Sequence, residues 1–381
     1  MTLQHDPANA RVDALLGSPR PELEASIGGR RDLDQLRQRW AQAEATPVLL
    51  ADRSQGRDDS WGGLDIRTLL RGEQSAGRFA VHSIVVPPGA GLPLHFQEDA
   101  HAYLLMNAGT LSVEVGKVQD HLEPNDFAFV PARTRFAFRN LSGSPCAFTV
   151  VYSPAGAERA FKAAHAHWAA TRDERQSSYR ETLEPYGFNF ASQPLENDEK
   201  TNAPISAVTG EVKRPGDLEK LRNAFASRLP LPRIVKTSPD EIEAKLNAGE
   251  VFRKAVLTGD DSGGEGMFHV LAAGPGFFAP PHHQPTEEEF FFIRRGQIEV
   301  VCATATQVVG EGAFSFNPRN CTHGFRTFDV SHPTHLATLN SPAGHERALA
   351  AVRELLAVGG SREQMQELTL AGGWIVHEDL I

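Results

Sequence analysis

Cysteine is scarce in this sequence. Only Cys146, Cys302 and Cys321 occur among 381 residues. They are scattered, odd in number and lack the C-x-x-C spacing of structural zinc sites. This argues against a disulfide framework or a zinc-cysteine site. A reducing compartment is the default for such a chain, so we expect a cytoplasmic location.

Long apolar runs and an excess of positive charge are also missing. No stretch of about 18 apolar residues occurs, and the N-terminus lacks the apolar core of a signal peptide, so we expect no membrane-spanning helix. Lys and Arg total 38 against 48 Asp and Glu, which gives a net charge of -10. Because nucleic acids and anionic membranes attract basic surfaces, we expect neither as a partner. Four Met beside 22 Phe favour strands over helix bundles.

The sequence does contain an internal repeat. Residues 89–109 and 276–296 share Gly, His, Gln and Gly at equivalent places, 187 residues apart. The same offset aligns residues 125–140 with 312–327. One inserted residue later, the segment Ser-Pro-Ala-Gly-x-Glu-Arg occurs in both copies. We interpret the chain as two copies of one fold.

Each copy is a series of short apolar segments that are separated by Gly, Pro, Asn or Asp about every ten residues. This spacing indicates an all-β barrel or sandwich. We therefore predict an all-β protein with two barrels and short flanking helices. The predicted boundaries are a helical arm at 1–47, a first barrel at 48–195, a linker with one short helix at 196–235 and a second barrel at 236–381.

The polar residues of the second copy lie on a regular frame. Its members are Gly276, His282, Gln284, Glu289 and Gly296, followed by Gly312, Pro318 and His323. This frame resembles the two motifs of the cupin superfamily, G-x5-H-x-H-x(3,4)-E-x6-G and G-x5-P-x-G-x2-H-x3-N. The resemblance covers both copies and so implies a bicupin with two jelly-roll barrels. Three residues depart from the motifs: Gln284 replaces a His, Asn320 a Gly and Thr327 an Asn.

The repeated Ser-Pro-Ala-Gly-x-Glu-Arg segment resembles the quercetin 2,3-dioxygenase branch of the cupins. This likeness implies a metal-dependent dioxygenase, an oxidoreductase that uses O2 and a hydroxylated aromatic or enolisable small molecule. The alternatives are a cupin isomerase or lyase, or a small-molecule-binding bicupin with a residual metal site. A gentisate-type ring-cleaving dioxygenase ranks lower, because that family's iron is held by three histidines in the first barrel, which this chain lacks.

Strand geometry gives the frame a chemical meaning. Residues i and i+2 of a strand share one face, so His282 and Gln284 can face the barrel interior together. Glu289 and His323 would approach the same point from other strands. Two imidazoles and one carboxylate suit a non-haem Fe(II) site, while Mn, Ni, Co, Cu and Zn are alternatives. The amide of Gln284 would be a weak ligand or would only hydrogen-bond to a metal-bound water. Asn320 is a residue type that tolerates the backbone of the Gly that it replaces.

Two further roles are expected in the second copy. Glu289 would be both a metal ligand and the catalytic group that takes a hydroxyl proton from the substrate. Phe291 shares strand parity with Glu289, and Phe325 shares it with His323, so both could line a pocket for an apolar or aromatic substrate. Glu287 and Glu288 are expected in a solvated turn. His283 is expected to point away from the site.

The first copy has lost most of the frame. His95 and Gln97 remain, but Ala102 stands at the glutamate position and Phe136 at the last histidine position. We therefore expect no catalytic metal in this barrel, with Phe136 filling the space as core. His101 is expected to point away, and Arg133 and Arg135 to be surface charges. A homodimer is expected, because cupin barrels often pair through edge strands.

Overall fold

The computed structural model describes residues 30–172, 176–190, 193–328 and 332–377. Of the predicted arm at 1–47, residues 1–29 lie outside this range. Across the described residues, none of the helices has the length and apolar character needed to cross a membrane.

In the first half of the chain, the described residues form strands β1 to β12 and three α-helices. The strands are β1 Val48–Leu50, β2 Arg57–Asp58, β3 Asp65–Leu70, β4 Ala80–Val86, β5 Gly91–Gln97, β6 His101–Ala108, β7 Leu111–Val115, β8 Val118–Leu122, β9 Phe127–Val130, β10 Phe136–Arg139, β11 Cys146–Ser153 and β12 Phe188–Asn189. The helices are α1 Arg30–Trp40, α2 Ala157–Thr171 and α3 Gln176–Leu183.

The second half repeats this order after a linker helix. The helices are α4 Asp217–Ala226, α5 Pro239–Asn247, α6 Gly259–Ser262, α7 His345–Ala357 and α8 Arg362–Ala371. The strands are β13 Arg233–Val235, β14 Phe252–Leu257, β15 Met267–Ala273, β16 Phe278–His283, β17 Glu288–Arg295, β18 Ile298–Cys302, β19 Ala305–Val309, β20 Phe314–Asn317, β21 His323–Thr327, β22 Thr334–Ser341 and β23 Ile375–Val376.

Each barrel is made of two facing antiparallel sheets. The first barrel has the orders β13-β9-β6-β11-β4-β3-β2 and β12-β5-β10-β7-β8, and the second has β1-β20-β17-β22-β15-β14 and β19-β18-β21-β16-β23. The predicted all-β architecture with two barrels and short helices is confirmed.

The aromatic run in β17 shows how the two barrels are joined. Phe291 and Ile293 belong to the apolar core inside the second barrel. Phe290 and Phe292, on the other face, belong to a core shared with the first barrel. The ring of Phe290 meets Phe79 of the first barrel edge-on at 5.0 Å. Because both faces of the large sheet are buried, its strands are apolar without alternation.

The barrels also exchange their first strands. β1 pairs with β20 of the second barrel, and β13 pairs with β9 of the first. The predicted boundaries place residues 48–50 in the first barrel and 233–235 in the linker, whereas each segment is hydrogen-bonded to the sheet of the other half. The exchange gives the exposed backbone of β9 and β20 a partner.

The repeated Ser-Pro-Ala-Gly-x-Glu-Arg segment has a structural role. The carboxylate of Glu346 accepts hydrogen bonds from the backbone N–H groups of Gly259 and Gly344, at 2.7 and 2.9 Å. Glu158 makes the equivalent pair of bonds in the first copy. Each glutamate lies in the first turn of a helix, where the helix dipole also favours a negative charge. The segment therefore anchors a helix to its barrel.

Glu287 and Glu288 correct an expectation. They were expected in a solvated turn, but both are buried. Glu288 lies 2.6 Å from Arg78 of the first barrel and 2.8 Å from Arg319. Glu287 pairs with Arg222 of the linker helix α4. Cations from distant parts of the chain make burial of these two carboxylates possible, which local sequence does not reveal.

Arg135 corrects another expectation. It was expected to be a surface charge, but its side chain is buried and ion-paired with Asp198 of the linker. Arg133 is exposed and lies 3.4 Å from Glu98. The difference arises because the linker folds back over the first barrel and supplies the carboxylate.

Arg78→Met tests the ion pair between the barrels. Glu288 would keep only Arg319, so we expect a loss of about 2 kcal/mol in the free energy of unfolding. Urea unfolding followed by circular dichroism measures it. Arg133→Met is the matched control and should change stability by less than about 0.5 kcal/mol. Equal losses in the two variants would contradict the role given to Arg78.

Candidate metal centre

Three ligand-type side chains meet inside the second barrel. The Nε2 atoms of His282 and His323 lie 3.6 and 2.9 Å from Oε2 of Glu289. All three residues are buried, and their ligand atoms lie within 4.8 Å of one another. β16, β17 and β21 supply one residue each, and the Cα of His282 lies opposite that of His323. The two motifs thus converge as the sequence spacing predicts.

The orientation of both imidazoles is held by the backbone. Nδ1 of His282 lies 2.8 Å from the carbonyl oxygen of Pro280, and Nδ1 of His323 lies 2.8 Å from that of Cys321. A carbonyl can only accept, so each Nδ1 carries the hydrogen and each neutral ring keeps a lone pair on Nε2. Those lone pairs point to the common centre, as metal-binding histidines require.

Burial and mutual contact alter the titration of this cluster. Burial alone would raise the pKa of Glu289, but its contacts with His282 and His323 outweigh burial and hold this pKa well below its ordinary value. Burial lowers the pKa of His323, and repulsion from His282 lowers it further. The carboxylate form of Glu289 and the neutral form of His323 are therefore the favoured forms, and both are the metal-binding forms.

Gln284 adds an amide to the same cluster. Its Nε2 lies 3.4 Å from Oε2 of Glu289. Its Oε1 is buried and has no hydrogen-bond partner among the described residues. A buried amide oxygen without a partner is costly, and a cation beside it would remove that cost. Whether Gln284 is a direct ligand stays a prediction.

The cluster fits a transition metal. Bonds of about 2.1 Å at right angles place neighbouring ligand atoms about 3 Å apart. The separations of 2.9 and 3.6 Å around Glu289 are close to this value. Two imidazoles and one carboxylate, with the amide oxygen of Gln284 beside them, would hold a divalent cation with positions left open.

Phe291 and Phe325 lie next to the cluster. The ring of Phe291 meets His323 edge-on at 5.8 Å and Phe325 edge-on at 5.3 Å. Both residues belong to the core of the second barrel. They therefore form an apolar wall beside the histidines, and their contact with a substrate stays a prediction.

Two asparagines at this site were missed by the sequence reasoning. Asn317 and Asn340 are the Cα partners of Glu289 on the two neighbouring strands. Asn317 donates to the backbone oxygen of Glu289 at 3.1 Å. Asn340 is fully buried, and neither atom of its amide has a hydrogen-bond partner in the described part of the chain. The aligned repeat held a signal, since Asn340 corresponds to Tyr152 of the first copy.

The equivalent place in the first barrel is filled by rings. His95 keeps the Nδ1 contact to a backbone carbonyl, at 2.9 Å from Pro93. Its ring stacks on Phe188 at 5.5 Å and meets Phe136 edge-on at 5.7 Å. A cavity of about 10 Å³ remains, which is room for about one water molecule. Phe136 therefore occupies the space as core, as expected.

Three more expectations concern local geometry. His283 faces away from the cluster, with its Nδ1 2.9 Å from Nε2 of His377. His101 stacks on Phe129, which belongs to the core between the barrels. Asn320 adopts a φ of 60°, in the left-handed region that the replaced Gly would favour. All three observations agree with the sequence-based expectations.

Comparison with known proteins finds a family match within the first barrel. Residues 82–152 match the family model of the cupin domain. Oxalate decarboxylase from Bacillus subtilis is similar in structure, with 13% identity over 99% of this chain and 95% of that chain and a TM-score of 0.46. Salicylate 1,2-dioxygenase from Pseudaminobacter salicylatoxidans has 11% identity over 92% of this chain and 97% of its own, with a TM-score of 0.47. No curated protein matches the chain in sequence. Identities this low assign no activity.

Metal content tests the cluster directly. We expect about one transition-metal ion per chain after loading with Fe(II), Mn(II), Ni(II), Co(II) or Zn(II), measured by plasma mass spectrometry. His323→Ala should lose the ion because it removes one of three strong ligands. His283→Ala is the control, since it alters the neighbouring, outward-facing ring. Undiminished metal in a folded His323→Ala protein would contradict the assignment.

The buried histidines of the first barrel predict acid sensitivity. Burial lowers the pKa of His82 to about 3 and that of His95 to about 4, from 6.5. In the unfolded chain these rings take up protons near pH 6.5, so the stability is complete above that pH and falls as the pH drops towards 4. Each histidine contributes a slope of up to about 1.4 kcal/mol per pH unit. His95→Leu should reduce the slope in urea titrations between pH 6.5 and 4, and an unchanged slope would refute this.

Proposed function

We propose that this two-barrel protein of the cupin superfamily is a metal-dependent dioxygenase that acts on a hydroxylated aromatic or enolisable small molecule. The convergence of His282, Glu289 and His323, with both Nδ1 atoms bound to backbone carbonyls, carries this proposal. Two histidines and one carboxylate with open positions are the ligand set of non-haem Fe(II) oxygenases. Fe(II) is accordingly the proposed metal.

Different residues of the second barrel would have different roles in the reaction. A divalent metal, when bound, supplies the charge that stabilises a substrate oxyanion and the one-electron chemistry towards O2. His282 and His323 would bind the metal through Nε2, because their Nδ1 hydrogens are donated to backbone carbonyls. A carboxylate oxygen of Glu289 would accept the proton of the substrate hydroxyl.

Neighbouring side chains would orient the substrate. Phe291 and Phe325 offer ring edges and faces to an aromatic group and keep water away from it. Asn340, beside Glu289 in the sheet, has an unused amide that could donate to a substrate oxygen and accept from a hydroxyl. The first barrel, in which rings fill the place equivalent to the metal centre, would serve in packing.

Oxygen uptake tests the proposal. Fe(II)-loaded protein should consume O2 with at least one member of a panel of flavonols and hydroxylated aromatics, measured with an oxygen electrode and by product analysis. Glu289→Gln should abolish uptake because it removes the anionic ligand and the proton acceptor. His283→Ala should retain it. Substrate conversion without O2 uptake would instead indicate an isomerase or lyase. Failure to bind metal would favour a protein that only binds a small molecule.

Gln284→His tests how the amide contributes. Imidazole is a stronger ligand than an amide oxygen, so the variant should bind Zn(II) or Fe(II) at least about tenfold more tightly in a chelator competition. Gln97→His, the equivalent change in the first barrel, is the matched control and should add no tight site because Ala102 supplies no carboxylate. Weaker binding in Gln284→His would count against coordination at this position.

A further inference from the structure

The edge of the second barrel at β14 is accessible to solvent at Ala255, and we call this place the opening. β14 is the edge strand of its sheet, and Ala255 on this strand is exposed. Ala255 lies opposite His269 of β15, and Arg253 lies opposite Leu271. Residues directly opposite on antiparallel strands point to the same face, and Leu271 belongs to the core inside the barrel. Arg253, Ala255 and His269 therefore line the inside of this opening.

Arg253 is a mostly buried cation without a counter-charge. Across the described residues, no carboxylate lies within ion-pairing distance of its guanidinium. Burial lowers the pKa of Arg253, and repulsion from Arg353 of α7 lowers it further, with only Glu289 acting in the other direction. An unpaired guanidinium in this position is costly, and an anion would compensate it.

Aromatic rings connect Arg253 to the metal centre. Its guanidinium lies 5.8 Å from the ring centre of Phe277. Phe277 lies 5.9 Å from Phe325, and Phe325 meets Phe291, which touches His323. A continuous row of aromatic side chains therefore extends from Arg253 to His323.

The first barrel shows the same strands without the opening. β3 and β4 pair in the same register, and Ile66, Thr68 and His82 stand where the second barrel has Arg253, Ala255 and His269. There Nδ1 of the histidine lies 3.1 Å from Oγ1 of Thr68.

Aromatic side chains cover that side of the first barrel. Trp61 packs on Tyr179 at 4.6 Å and on Phe161 at 6.3 Å. All three belong to the core of the first barrel. The second barrel therefore differs from the first at this edge in carrying an arginine and an exposed alanine in place of buried Ile66 and Thr68.

We propose that the second barrel takes a small carboxylate-bearing substrate through the opening beside β14, with Arg253 binding the carboxylate. This rests on the proposed function for the identity of the reacting site. The guanidinium fork matches a planar carboxylate in geometry and charge. A phosphate dianion would instead bring two negative charges close to Glu289.

Ligand binding to metal-free protein tests the inference apart from catalysis. We would titrate benzoate and its ring-hydroxylated derivatives, the corresponding uncharged benzamides, and phenyl phosphate into chelator-treated protein by calorimetry. At least one carboxylate should bind about tenfold or more tightly than its amide, and added salt should weaken it. Because no metal or turnover is needed, failure of the oxygenase proposal would leave this result unaffected.

Arg253→Ile is the decisive variant. Ile66 occupies the equivalent place in the first barrel, so the strand accepts this residue. Carboxylate binding should weaken by about 30-fold while amide binding stays the same. Arg253→Lys keeps the charge without the planar fork and should lie between the two. Arg326→Met is the control, because Arg326 is exposed, pairs with Glu299 at 2.8 Å and should leave binding unchanged.

Several results would overturn the inference. Equal affinity for carboxylates and amides, or no measurable binding of any carboxylate, would do so. An Arg253→Ile protein that binds carboxylates as tightly as the unmodified chain would also do so. So would phenyl phosphate that binds more tightly than the carboxylates and depends on Arg253 in the same way. Circular dichroism and thermal unfolding confirm that each variant is folded before its titration is read.

Discussion

Three consecutive glutamates, Glu287 to Glu289, connect the second barrel to the linker and to the first barrel. All are buried, and a buried carboxylate needs a cation or hydrogen-bond donors. Each finds its partners in a different unit: Arg222 of the linker helix and His345 of α7 at Glu287, Arg78 of the first barrel and Arg319 at Glu288, and His282 and His323 at Glu289. The start of β17 is therefore the point at which linker, first barrel and metal centre meet.

The two barrels share a scaffold and differ in their interiors. Glu158 and Glu346 anchor equivalent helices through the same pair of backbone N–H bonds, and β3–β4 matches β14–β15 in register. Inside, the first barrel is packed with aromatic rings around His95, whereas the second places polar and charged groups around Glu289. Packing requires only volume and apolar surface, so one copy could lose its ligands without losing the fold. The second copy retains buried polar groups, which lower its stability. Such a loss of stability is typical of a functional site.

The fold and the central cluster could be predicted because both depend on short-range regularity. The period of two along strands predicted that Phe291 faces inward with Glu289, and the repeat predicted that Phe136 replaces a ligand position. Features that depend on distant segments could not be predicted. Arg135 was expected at the surface because its partner Asp198 lies in the linker. β1 was expected in the first barrel because the exchange of strands changes no local pattern.

The sequence by itself determined two β-barrels, a cluster of two histidines and one glutamate in one copy and the loss of that cluster in the other, since each follows from residue types at regular spacing. Only the tertiary structure decided which charges are buried and which of them lack a partner. Arg78 and Arg253 are both ordinary arginines in sequence, yet one meets Glu288 across the barrels while the other faces the interior with no carboxylate in reach among the described residues. The physical reason is that electrostatic energy depends on distance and burial in space, which chain order does not specify.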